Sequence, residues 1–143
     1  MSAPGPSDYA ARIEGDLLEN ILPFWRDRVV DPDGGFYGSV SNDLVVDRGA
    51  ERGALLTSRI LWTFSAAYSR YRGAADLAVA DHAYADLIGR FRDPQHGGFR
   101  WSVTPGSGVS LDRKQVYGQA FAVYALAEYH AATGRPQPLE HAV

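Results

Sequence analysis

With 143 residues, 45% of them apolar and 22% charged, the chain amounts to one domain or less, with enough apolar character for a core. Its net charge of -3 and its scattered basic residues, Lys114 being the only lysine, argue against nucleic acid or an anionic membrane as partner. The lack of cysteine excludes disulfides, thiolate metal sites and a cysteine nucleophile.

Residues 1–6 read as a disordered N-terminus, without the basic start or apolar run of a secretion signal. No stretch approaches the ~20 apolar residues of a membrane span, so a soluble cytoplasmic protein is expected. A single domain then occupies 7–143. Ser7 and Asp8 suit the cap of a helix over about 8–29. There Ile13, Leu17, Leu18, Ile21, Leu22 and Trp25 recur at helical spacing, with Arg12, Asp16, Glu19 and Asn20 on the polar side. Pro23 falls inside this pattern and predicts a kink or an early end.

Asp31 to Gly38 reads as a turn, followed by a hairpin from Ser39-Val40 to Leu44-Val45-Val46. The next helix, about 53–71, carries Leu55, Leu56, Ile60, Leu61, Trp62, Phe64, Ala66, Ala67 and Tyr68 around nearly its whole circumference. A helix apolar all round is buried on more than one side. A third helix, about 74–91, is again amphipathic, with Asp76, Asp81, His82, Asp86 and Arg90 on its polar side. A second turn leads to a hairpin from Phe99–Val103 to Val109–Leu111. The helix after it, about 113–133, is again apolar nearly all round, from Val116 to Ala127. Gly134 suits its C-terminal cap, Pro136 its stop, and a further helix starts near Pro138.

Two turns stand out, Asp31-Pro32-Asp33-Gly34-Gly35-Phe36 and Asp93-Pro94-Gln95-His96-Gly97-Gly98-Phe99, with their glycine pairs 63 residues apart. They mark repeats of about 7–71 and 72–133, with a third starting at 136–143. Amphipathic and all-apolar helices alternate, which calls for two concentric layers: an outer ring facing water and an inner ring packed on both sides. Exposing even five large apolar side chains of the inner ring forgoes on the order of 10 kcal/mol. That is comparable to a whole domain's net stability, so the array reads as incomplete.

Three segments carry a resemblance: Ile21-Leu22-Pro23-Phe24-Trp25 with Gly34-Gly35-Phe36, the run from Arg59 to Tyr68, and the run from Tyr117 to Leu126. Together they resemble cellobiose 2-epimerases of the N-acylglucosamine 2-epimerase superfamily, from about residue 15 onward. The resemblance implies an all-α chain, the N-terminal third of an (α/α)6 barrel: about two helical hairpins with short β-hairpin loops, four of six being absent. It also implies metal-free, cofactor-free epimerisation at C2 of the reducing sugar of a cellobiose-type disaccharide, or of a related mannose or N-acylglucosamine substrate. One histidine removes the C2 proton through an ene-diolate and another returns it to the other face. A proton α to a carbonyl needs bases tuned near neutral pH and donors for the ene-diolate oxygens.

On this resemblance Arg59 binds or polarises O1 and O2, and Tyr117 contacts the sugar from the corresponding part of the next inner helix. The catalytic histidines belong to later repeats. None of His82, His96, His130 and His141 matches them, so no catalytic residue is assigned and the chain alone is expected to be inactive. His82 and His130 are read as solvent-facing, His96 as part of its turn, and His141 as near a frayed end. Trp62 is a candidate for stacking on a sugar, although packing between helices is the stronger reading, and Asp31, Asp33 and Asp93 are read as turn residues rather than acid–base or metal groups.

Two other readings stand beside this one. Gly-Gly-Phe repeats are also similar to those of prenyltransferase and terpene-cyclase toroids, and other α/α barrels are glycoside hydrolases. The former need a zinc site or an acidic diphosphate-binding cluster and the latter a carboxylic acid pair; no compelling example of either is present. Alternatively the chain is a non-catalytic remnant, or a subunit whose missing C-terminal repeats come from a separate chain.

Overall fold

The computed structural model describes residues 5–142. In chain order these form α1 (Pro6–Asp16), a π turn (Leu17–Ile21), α2 (Leu22–Arg28), β1 (Arg52–Gly53), α3 (Ala54–Tyr71) and α4 (Ala74–Asp86). A second π turn (Leu87–Phe91), β2 (Ser102–Val103), β3 (Val109–Leu111), α5 (Val116–Thr133) and α6 (Gln137–His141) follow. The strands form a small antiparallel sheet of order β1-β2-β3. The expectation for residues 1–4 lies outside the described residues.

The first helix starts earlier than its sequence suggests. Pro6 is its first residue, and the Asp8 carboxylate accepts a hydrogen bond from the Gly5 amide at 2.9 Å. Pro23 does not end it. The five-residue π turn just before the proline lets the Leu22 amide bond to the Leu17 carbonyl, so a widened turn takes up the backbone mismatch and α2 runs on.

Three helices make the core. Leu61 and Phe64 of α3 meet Ala80 and Ala83 of α4, Leu87 and Phe91 of the second π turn, and Ala122, Ala125, Leu126 and Tyr129 of α5. All are fully buried. The Tyr129 hydroxyl donates to Asp81 at 2.5 Å, tying α5 to α4. Burial, and then this bond to a carboxylate, push the Tyr129 pKa upward.

The expected apolar stripe of the first helix is largely uncovered: Leu22 is buried, but Ile13, Leu18 and Ile21 are exposed. The polar side assigned to the third helix is also corrected. Asp76 and Asp86 are buried, and Asp86 accepts from the Thr57 hydroxyl at 3.1 Å while pairing with Arg90. His82 does not face solvent alone: half-buried, its Nε2 lies 2.9 Å from the Gly35 carbonyl and its ring stands edge-on to Phe36. The first expected hairpin closes as a tight one, with a Val40–Val46 bridge and with the Ser41 and Asp47 amides donating to the Val45 and Ser39 carbonyls, whereas β1 adds a strand that periodicity did not signal.

The two glycine turns are built alike. Phe36 pairs with Val30 and Phe99 with Arg92 in antiparallel bridges. In each turn the leading aspartate caps its own backbone: Asp31 accepts from the Asp33 amide, Asp93 from the amides of Gln95 and His96. The second glycine of each pair has a left-handed φ, +74° at Gly35 and +71° at Gly98. A side chain at Gly35 would also run into Arg90, whose guanidinium donates to the Gly34 carbonyl at 3.1 Å.

Candidate functional site

Each inner helix is set in place by a clamp at its start. The Asp31 carboxylate accepts from the Arg52 guanidinium at 2.8 Å, just before α3 begins. Asp93 accepts from the Lys114 ammonium at 2.6 Å, just before α5 begins. Both pairs are 21 residues apart in sequence, so the second repeats the first. The Lys114 hydrogen bond, followed by the amides of Gln95 and His96, holds the Asp93 carboxyl far below the usual carboxylate range. Turn chemistry was legible for these aspartates; their cationic partners were not, although the repeated spacing of 21 was a signal for them.

From these starts α3 and α5 run side by side, and Trp62 stacks on Tyr124 with ring centroids 5.4 Å apart. Trp62 thus packs between helices, as the sequence suggested. Arg59, Trp62 and Thr63 of α3, with Phe121 and Tyr124 of α5, line a cavity of about 270 Å³. A second cavity, about 230 Å³, lies on the other side of Arg59 against Ile21, Trp25 and Leu56. Arg59 and Thr63, one turn apart, belong to both walls.

Arg59 is exposed, and among the described residues no carboxylate lies within ion-pair distance of it. Tyr117 is 58% exposed and sits one ring away from the Arg59 cavity: its own ring lies 4.9 Å from Phe121, which lines the cavity. The two residues do not occupy equivalent helix positions. Arg59 is one turn further into α3 than Tyr117 is into α5, and the residue of α5 at the Arg59 level is Phe121. Phe121, Tyr124 and Thr63 were not singled out as site residues, because aromatic and β-branched side chains in an apolar helix read as core.

The histidines stay apart from this face. His96 contributes its amide to the Asp93 turn, His130 bonds the Arg135 carbonyl at 2.6 Å, and His141 lies beside Tyr84. Among the described residues no group of three His, Asp or Glu side chains is placed to hold a metal ion, and no helix is long and apolar enough to cross a membrane.

The helices thus form an array of α-helical hairpins, with Arg59 and aromatic rings lining one cavity between its inner helices. The N-acylglucosamine 2-epimerase (GlcNAc 2-epimerase) family matches residues 35–142, and the chain belongs to that family. It is 41% identical to a cellobiose 2-epimerase of Bacteroides fragilis over 92% of this chain and 34% of that protein. The solved cellobiose 2-epimerase of Spirochaeta thermophila superposes with a TM-score of 0.90 at 40% identity, over 95% of this chain and 34% of that one. That of Bacillus thermoamylovorans gives 0.91 at 41% identity, over 95% and 35%. The chain thus spans about a third of the length of the relatives it matches, as the N-terminal part of their (α/α)6 barrel.

Proposed function

We propose that this chain supplies the arginine side of the substrate pocket of a sugar 2-epimerase acting on the reducing end of a cellobiose-type disaccharide, or on a related mannose or N-acylglucosamine sugar. The observation that carries the reading is Arg59: an exposed guanidinium with no carboxylate partner among the described residues, walled by Trp62, Phe121 and Tyr124. Aromatic faces suit the apolar side of a sugar ring. A planar, permanently charged fork suits two adjacent oxygens, O1 and O2 of the opened sugar. As the C2 proton leaves, negative charge builds on those oxygens, and a fixed cation favours that state over the ground state. Tyr117 extends the same wall and contacts the sugar beyond the reacting carbons.

Proton removal and return need bases, which on this reading come from the hairpins that complete the fold in relatives. Family membership favours this chemistry over prenyl transfer, terpene cyclisation or glycoside hydrolysis. The test is turnover of cellobiose to glucosylmannose, first by the 143-residue chain and then by the chain joined to the remaining two thirds of the Bacteroides fragilis relative. The isolated chain is expected to be inactive and the joined chain active. Turnover by the isolated chain, or a folded but inactive joined chain, contradicts the proposal.

A further inference from the structure

We infer that the hydroxyls of Thr63 and Tyr124 form a second polar grip in the Arg59 cavity, one that holds the 3-hydroxyl of the sugar whose O1 and O2 Arg59 takes. The inference rests on the sugar reading above and adds a contact to it. Both residues line the cavity of about 270 Å³, Thr63 from α3 and Tyr124 from α5, two helices that pack on each other. Thr63 stands one turn beyond Arg59 on the same helix. Tyr124 is held beside that level by its stack on Trp62.

What sets these two hydroxyls apart is that the protein leaves them unused. A threonine inside a helix commonly donates to the carbonyl one turn back, as Thr133 does to Tyr129 at 2.7 Å. The hydroxyls of Tyr71 and Tyr129 donate to the carboxylates of Glu14 and Asp81. Among the described residues neither the Thr63 nor the Tyr124 hydroxyl has a hydrogen-bond partner, although Thr63 is half-buried on an apolar helix. Each hydroxyl both donates and accepts, so two of them can satisfy the hydrogen and a lone pair of one sugar hydroxyl. With the Arg59 fork committed to O1 and O2, the oxygen that meets the next turn of α3 is O3. In a β-1,4-linked disaccharide O3 is also the last free hydroxyl before the glycosidic oxygen.

The experiment is steady-state kinetics of Thr63→Val and Tyr124→Phe in the joined chain. The first keeps the branched shape and the second keeps the ring on Trp62, so both should fold as the parent does, checked by thermal melting. Each should lower kcat/KM on cellobiose by about threefold to tenfold, the worth of one hydrogen bond. On cellobiose deoxygenated at C3 of its reducing sugar, parent and variants should become equal, because the bond the variants lack is then missing for all. Variants that equal the parent on cellobiose, or that keep their deficit on the deoxygenated sugar, overturn the inference, while Arg59→Ala still tests the sugar reading by itself. A joined chain without turnover overturns both.

Discussion

The two glycine turns share one plan and differ in how deeply their clamps are buried. Arg52, 2% exposed, lies over the Tyr37 ring with its guanidinium on Asp31. Lys114 keeps 29% of its side chain exposed while holding Asp93. An arginine fork serves the buried clamp because it also bonds the Ala50 carbonyl and stacks on a ring. A lysine suffices where water can still reach the charge. The same device therefore contributes to stability through geometry at the first turn and through charge at the second.

The largest effect should come from Arg52→Ala, which strands the buried Asp31 carboxylate and should cost about 3–5 kcal/mol in urea unfolding. Lys114→Ala should cost clearly less; equal losses would break the distinction between the clamps. Next, Gly35→Ala should cost about 1–3 kcal/mol from its left-handed backbone alone. It should exceed Gly98→Ala in thermal melts, because its new methyl falls 1.7 Å from the Arg90 guanidinium, against 2.8 Å from Gln119 at Gly98.

A pH series sharpens the comparison further. The folded-state pKa of Asp93 is depressed by Lys114, so its contribution is complete above the unfolded carboxylate value, about 3.9, and fades as pH falls below it. Melting temperatures of the native chain and Lys114→Ala should differ near neutrality and converge in strong acid. A gap that stays constant down to acid pH would show that the lysine acts through packing. The smallest effect is expected for Tyr124→Ala, which loses the stack on Trp62 at a half-open site, about 0.5–1.5 kcal/mol by thermal melting.

Much of the fold was legible because helical periodicity reports burial. The alternation of Ile13-to-Trp25 and Leu55-to-Tyr68 patterns gave the order of outer and inner helices, and the glycine turns gave the repeat. The details that failed depend on contacts distant in sequence. Asp86 reads as a surface residue until Thr57 and Arg90 are brought to it. The stripe at Ile13 and Ile21 reads as core because periodicity says that a face is apolar and not what lies against it. Strand β1 is two residues long, too short for any alternation to show. At the site, Arg59 stood out as a charge within an apolar helix, whereas Phe121 and Tyr124 are indistinguishable by type from their buried neighbours.

The central claim, that the inner face of α3 grips the reacting end of a sugar through Arg59, is tested most directly by steady-state kinetics of Arg59→Ala in the joined, active chain. The account predicts a loss of about 10²–10³-fold in kcat, as for removal of a donor to a developing oxyanion, with the melting temperature unchanged. A variant that keeps its kcat and turns over cellobiose as the parent does would contradict it.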